Sequence, residues 1–370
     1  MTTFRFDQCA TSNMPFLCSP LRMQTAFFLR RRYYALLLMV VLFSCAMGCK
    51  QPSSQAHARA GKHIIRIVTP VTHPSLDETI RGFLDGLAEN GFSRNELDLR
   101  PDSAVPALNA NGDFSAITMN IRSALADNPE LIFVLSTPAA TQAAPLAAEK
   151  NVPLVYAAVT DPVKAHIVSS MAKSDTPATG VSDRYPVDKQ VELFLQLQPG
   201  MRTAAILLNP KEENSNILAA ETQARLTEHG IKVRQYFVNS TSEIAPRAAE
   251  ASIDNDALIV NGDNLIVENI GAVVNVCIDN HRPLFVGDPD SVKKGAIATV
   301  GPSYYQMGRQ AGFKAAQILK GKPAGSIPSD SPSAFDYIIN TQAAKAMHLN
   351  IPSSIWDTRN IWISPAKLTQ

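Results

Sequence analysis

The chain has 370 residues, 45% of them hydrophobic and 18% charged, enough for two domains around a large apolar core. Its 34 Lys and Arg against 33 Asp and Glu give no electrostatic footprint for nucleic acid, and the composition is neither collagen-like nor wholly disordered. Of the five cysteines, Cys9, Cys18, Cys45 and Cys49 lie near the N-terminus and Cys277 sits inside an apolar helix as core filler, which excludes a disulfide scaffold.

Residues 1–61 differ from the rest. Arg30, Arg31 and Arg32 precede an apolar run from Tyr33 to Met47 that ends at Gly48-Cys49. A basic flank, a short apolar stretch and a small residue before the cut make a secretory signal. The run is 15 residues long, whereas a membrane-spanning helix takes about 20. Ala46-Met47-Gly48-Cys49 resembles a bacterial lipobox. The expectation is a lipoprotein signal over 1–48, lipidation at Cys49 and a flexible polar tether over 49–61. That places the protein outside the cytoplasm, anchored to a membrane and facing the periplasm or cell exterior. Met23 is an alternative start. Beyond residue 48 there remain 29 basic and 32 acidic residues.

From residue 62 strands and helices alternate. A strand at 64–68 precedes a helix over 75–90, with Ser75 and Glu78 spaced as a capping box and Gly91 as its stop. Leu76, Ile80, Phe83, Leu84 and Leu87 form one apolar face. Strands follow at 96–100, 131–135 and 154–159, with helices at 113–127 and 138–149. A second series begins near 186, with helices at 186–197, 215–229, 243–252 and 267–280. Its strands read at 204–208, 232–238, 257–261 and 284–286. A strand at 296–300, a helix at 304–319 and a strand at 335–340 close the pattern. The same plan twice over predicts an α/β protein of two similar doubly wound parallel-sheet lobes.

Ligands of open parallel sheets bind beyond the carboxyl ends of the strands. Those ends carry His73, Ser136-Thr137, Thr160-Asp161 and Ser182-Asp183 in the first series. In the second they carry Asn209 with Asn214, Asp263-Asn264, and Asp288 with Asp290-Ser291. Short polar groups with few cations suit a small solute of mixed charge. Ser136, Thr137 and the amides of the following helix can hold a carboxylate, and an aspartate such as Asp161, Asp183, Asp288 or Asp290 can hold an ammonium. Each also has a plainer reading, as a helix cap for Ser136, Thr137 and Asn214 or a turn former for Asp161 and Asp288. Tyr304-Tyr305 reads as helix-start packing rather than a stacking wall. Nucleophile-elbow, zinc-protease, Walker and dinucleotide motifs are missing, and the seven histidines lack metal-ligand spacing. No enzyme, metal or cofactor is expected.

Several phrases together resemble the substrate-binding proteins of ABC transporters in the tryptophan/tyrosine-type group. They include "HPSLDETIRGFLDGLAENGF" from 73, "STPAATQAA" from 136, "VPLVYAAVTDPVKA" from 152 and "TGVSDRYPVDKQVEL" from 179. Others are "DNDALIVNGDN" from 254 and "PLFVGDPDSVKKGAIATVG" from 283. The resemblance implies a type I periplasmic-binding-protein fold with about three crossovers forming a hinge. It implies an N-terminal lobe of 62–183 with 291–328 and a C-terminal lobe of 184–290 with 329–370, with strand 296–300 returning to the first lobe. Crossings then fall near 182–185, 287–292 and 325–334. It also implies a monomeric receptor that closes on a small solute and passes it to a membrane permease powered by a separate ATPase. An aromatic amino acid is the solute expected by analogy. Where the family tends to have Pro-Thr before Asp-Asn, this chain has Asn261-Gly262. A sensor that reports the ligand to a membrane receptor has the same fold and stands as the alternative. An exported enzyme and a DNA-binding regulator are the weaker rivals; the chain shows neither a nucleophile–base pair nor a helix-turn-helix.

Overall fold

The computed structural model describes residues 61–355 and the backbone of a last strand at 361–364. The expected signal, the lipidation site Cys49 and the tether up to residue 60 lie outside the described residues.

The first lobe opens with β1 (His63–Thr69), α1 (Pro74–Glu89), β2 (Leu97–Asp98), β3 (Leu108–Asn109) and α2 (Phe114–Ala126). It continues with β4 (Leu131–Leu135), α3 (Thr137–Glu149), β5 (Leu154–Val159) and β6 (Ala178–Ser182). Strand order is β2-β1-β4-β5-β6, all parallel, with β3 extending the pairing of β1. The β4 run Leu-Ile-Phe-Val-Leu is buried on both faces, as a strand covered on both sides requires.

The chain then crosses to the second lobe. Its elements are α4 (Val187–Leu197), β7 (Thr203–Leu208), α5 (Glu213–Glu228), β8 (Lys232–Phe237), α6 (Thr241–Asp254) and β9 (Ala257–Val260). Next come α7 (Asn264–Glu268), α8 (Ile270–Asp279), β10 (Leu284–Val286), α9 (Pro289–Lys293) and β11 (Ala298–Gly301). Helix α10 (Tyr304–Leu319) returns to the first lobe, and β12 (Asp336–Asn340), α11 (Thr341–Ala346) and β13 (Ile361–Ser364) complete the second. The second sheet runs β13-β12-β11-β10-β9-β7-β8. Cys277 is buried on α8, as core filler should be.

Three expectations need correction. The strand near 296–300 does not return to the first lobe: β11 pairs with β10 and, antiparallel, with β12. The second crossing is therefore at 302–303, between β11 and α10, and not at 287–292. Short α9 is enough to carry β10 into a neighbouring parallel strand of the same sheet. The helix expected over 267–280 is two helices, broken at Asn269. The capping box at Ser75 is not formed, because α1 starts earlier, with His73 as N-cap and Pro74 in the first turn.

Helix α10 lies on α1 with backbone against backbone. A Cβ on Gly82 would stand 2.1 Å from the Tyr305 carbonyl oxygen, and one on Gly308 2.0 Å from that of Thr79. Only glycine permits so close an approach. The third crossing, after α10, is pinned to β6: Ser182 N–H donates to the Asp330 carbonyl at 2.8 Å and Asp330 N–H to that of Gly180 at 3.0 Å.

Candidate functional site

A narrow cavity of about 20 Å³ lies where the strand ends of the two lobes face each other. The first lobe contributes His73, Leu76, Ser136, Ala158, Thr160, Asp183 and Tyr304. From the chain beyond the first crossing come Tyr185, Asn214, Gly262, Asp263, Asn264, Val267 and Asp288. Of the expected site residues, the cavity thus gathers His73, Ser136, Thr160, Asp183, Asn214, Asp263, Asn264 and Asp288.

The other six stand behind or outside it. Thr137 Oγ1 accepts from Thr160 N–H at 3.3 Å, and Ser182 Oγ donates to the Thr160 carbonyl at 3.1 Å; both fix the loop that carries Thr160. Asn209 lines the outer cleft, and Asp290 an adjoining depression. Ser291 serves Asp288 through its amide at 2.9 Å and its hydroxyl at 2.6 Å. Asp161 faces away from the cavity: its carboxylate accepts from Lys164 N–H and lies 3.5 Å from Arg184, whose other nitrogen bonds Glu221 of α5 at 2.7 Å. Asp161 is therefore a turn former and one end of an outer brace between lobes.

Two strained residues face the cavity. Ser136 adopts φ 70°, ψ 153°, a region otherwise used by glycine, and Ala158 has φ 56°. Ser136 stands at the start of α3, but its hydroxyl does not cap that helix. It crosses the cleft to Asn264 Oδ1 at 3.1 Å, leaving the first-turn amides of α3 without a side-chain cap. A second crossing bond runs from Ser75 Oγ to Asp290 at 2.9 Å and Asp288 at 3.3 Å. The cap spacing of Ser75 in the sequence carries no sign of that contact.

The cavity is acidic, and among the described residues no Lys or Arg lines it. Asp263 accepts from the amides of Asn209 at 2.5 Å and Ile266 at 3.0 Å and from Ser215 Oγ at 2.7 Å. Asp288 is likewise filled, by both groups of Ser291 and by Ser75. Each is the N-cap of the helix that follows. Asp183 differs. Its side-chain partners among the described residues are two hydroxyls at long range, Thr160 at 3.2 Å and Tyr304 at 3.3 Å, so its oxygens keep acceptor capacity toward the cavity.

Burial raises these acids: Asp183 to about 6, with the two hydroxyls acting against the rise, and Asp263 to about 8, helped by neighbouring Glu212. Asp288 is also raised by burial. Glu212, which the sequence reading missed, is buried and raised too, while bonding Asn264 and Asn214 from behind. His73 goes the other way, to about 4, because burial and the charge of Lys294 disfavour its cation. It is a neutral ring, and its Nδ1 and Asn214 Oδ1 are buried polar atoms with no partner among the described residues.

Sequence reasoning also missed the cavity's walls. Tyr304 does pack at a helix start as expected, yet its hydroxyl meets that of Tyr185 at 2.6 Å inside the cavity. Leu76 and Val267 were indistinguishable from core positions, since both sit on apolar helix faces.

Among the described residues no helix is long and apolar enough to cross a membrane, and no group of three or more His, Cys, Asp or Glu is placed to hold a metal ion. The family model for ABC transporter substrate binding proteins matches residues 64–359. A tyrosine-binding protein of Clostridioides difficile is 30% identical over 83% of this chain and 89% of its own length. A Streptococcus pneumoniae ABC domain solved with L-Trp is 29% identical over 82% of this chain and all of its own, with a TM-score of 0.75. A ligand-free, open substrate-binding protein from Clostridium difficile has the same identity and coverage but a TM-score of 0.61. The direct bonds between lobes agree with that order.

Proposed function

We propose, from the premise that the chain belongs to the ABC transporter substrate-binding protein family, that its interlobe cavity binds an aromatic α-amino acid for delivery to a membrane permease. The observation that carries this reading is the placement of Thr160. Its hydroxyl touches Asp183, and its amide touches Thr137 in the first turn of α3. An anionic acceptor and a helix N-terminus therefore lie on either side of one residue. An α-amino acid carries ammonium and carboxylate on a single carbon, so it presents both poles to neighbouring groups of this kind. Asp183 takes the ammonium; Ser136 and the α3 amides take the carboxylate, favoured by the helix dipole. Leu76, Val267 and the rings of Tyr185 and Tyr304 surround the side chain. The relatives solved with L-Trp or named for tyrosine support an aromatic one.

Binding closes the lobes, because Ser136–Asn264 and Ser75–Asp288 form only when the two faces meet. Cys49 anchors the exported protein by lipid, on the strength of the Ala46-Met47-Gly48-Cys49 sequence; fractionation of cells carrying Cys49→Ala tests this by loss from the membrane. The solute is tested by thermal shift of the purified protein against amino acids, sugars and dicarboxylates. An aromatic amino acid at 100 times its dissociation constant should add about 2.7 kcal/mol of stability. A shift from sugars or dicarboxylates alone would defeat the reading.

A further inference from the structure

Tyr185 leaves the first crossing and buries its ring against the second lobe, where two glycines make room for it. A Cβ on Gly287 would come within 2.5 Å of the ring at Cε2. One on Gly262, where φ is +23°, would come within 3.1 Å of the same atom and 2.8 Å of Leu218 Cδ1. The ring therefore occupies a slot that exists because both positions lack a side chain. Its hydroxyl is taken up by Tyr304, whose own hydroxyl reaches Asp183. Tyr185 thus lines the cavity as a fixed wall that cannot retract toward Gly287 or Gly262.

Resting on the amino-acid reading above, we propose that Tyr185, seated on Gly262 and Gly287, is the specificity-determining residue of the cavity and limits the size of ligand side chain it admits. Fixed walls of this kind separate substrates that differ by a few heavy atoms, at roughly 10- to 200-fold per methylene-sized difference. Shrinking the wall favours larger side chains. Pushing it inward favours smaller ones, and a methyl at Gly287 does so because its nearest atoms are the ring's own Cε2 at 2.5 Å and Cδ2 at 3.0 Å.

Calorimetric titration of L-Leu, L-Phe, L-Tyr and L-Trp into wild type, Tyr185→Leu, Tyr185→Phe and Gly287→Ala tests this, with melting temperatures recorded for each. Tyr185→Leu should shift the affinity ratio of L-Trp over L-Phe upward by about tenfold or more. Gly287→Ala should shift it downward, and decides the matter alone if Tyr185→Leu does not fold. Tyr185→Phe keeps the wall and loses only the Tyr304 bond, so all ligands should weaken by a similar factor. Folded variants with wild-type ratios would overturn the inference and leave the amino-acid reading standing. A wild type that binds none of the four overturns that reading and the inference with it.

Discussion

The two faces of the cavity carry polar groups in similar number but use them differently. On the second lobe, Asp263 and Asp288 spend their oxygens on the amides and hydroxyls of neighbouring residues, and each starts a helix. Glu212 does the same for Asn264 and Leu265. That face is a scaffold whose acids mainly hold its own loops in place. On the first lobe Ser136 and Ala158 are held in strained backbone, Ser136 leaves its helix without a side-chain cap, and Asp183 makes only long bonds. Acids with long, few bonds on one lobe, against acids saturated with bonds on the other, are the basis on which the proposed reading separates recognition from support.

The sharpest way to break this contrast is to exchange the aspartates' fates. Asp183→Asn should weaken solute binding by about 30- to 1000-fold, roughly 2–4 kcal/mol, with little loss of melting temperature. Asp263→Ala and Asp288→Ala should do the reverse, lowering stability by about 2–4 kcal/mol through a lost cap and stranded hydroxyls. Isothermal titration beside thermal melts reads both, and equal binding losses at all three positions would erase the distinction.

Acidity gives the next largest effect. Asp183 rises from 3.8 to about 6 in the folded protein. A raised acid stabilises the fold below its unfolded pKa, and that contribution is lost as pH climbs toward about 6. Ligand affinity should move oppositely, since an ammonium needs the ionised form: about tenfold weaker for each unit of pH below about 6. The affinity slope should vanish in Asp183→Asn. A wild-type affinity that is flat between pH 4 and 7 would show that Asp183 does not meet the ligand.

The smallest effect belongs to the bridge between the faces. Ser136→Ala removes the bond to Asn264 and one carboxylate contact, and should weaken binding by about 3- to 10-fold. Small-angle scattering should then show the ligand-free protein more open than wild type.

Much of this was legible beforehand for a physical reason. Parallel strands between covering helices leave long β-branched runs, and their carboxyl ends have to carry the ligand groups, so eight of the fourteen expected residues line the cavity. What periodicity could not reveal was partnership. The strand Ala298–Gly301 is apolar in either sheet, so its pattern could not say which one it joins. Asp263 and Asp288 did carry a readable cue, since Asp288-Pro289 and Asp263-Asn264-Leu265 each open a helix, whereas Asp183 is followed by Arg-Tyr-Pro and caps nothing. Tyr185 was beyond reach, because the slot that receives its ring is built by glycines 77 and 102 positions away.

The seam between Gly82 and Gly308 fastens α10 to α1 without freedom to slide. Opening must then be absorbed by the threads at 183–186, 302–303 and 328–335. Asp183 and Tyr304 sit on or beside those threads, next to the fulcrum, where displacement is least. On the proposed amino-acid reading, the pocket for the ammonium would already be assembled while the mouth gapes, and an arriving solute would find one foothold ready before the far leaf swings over it.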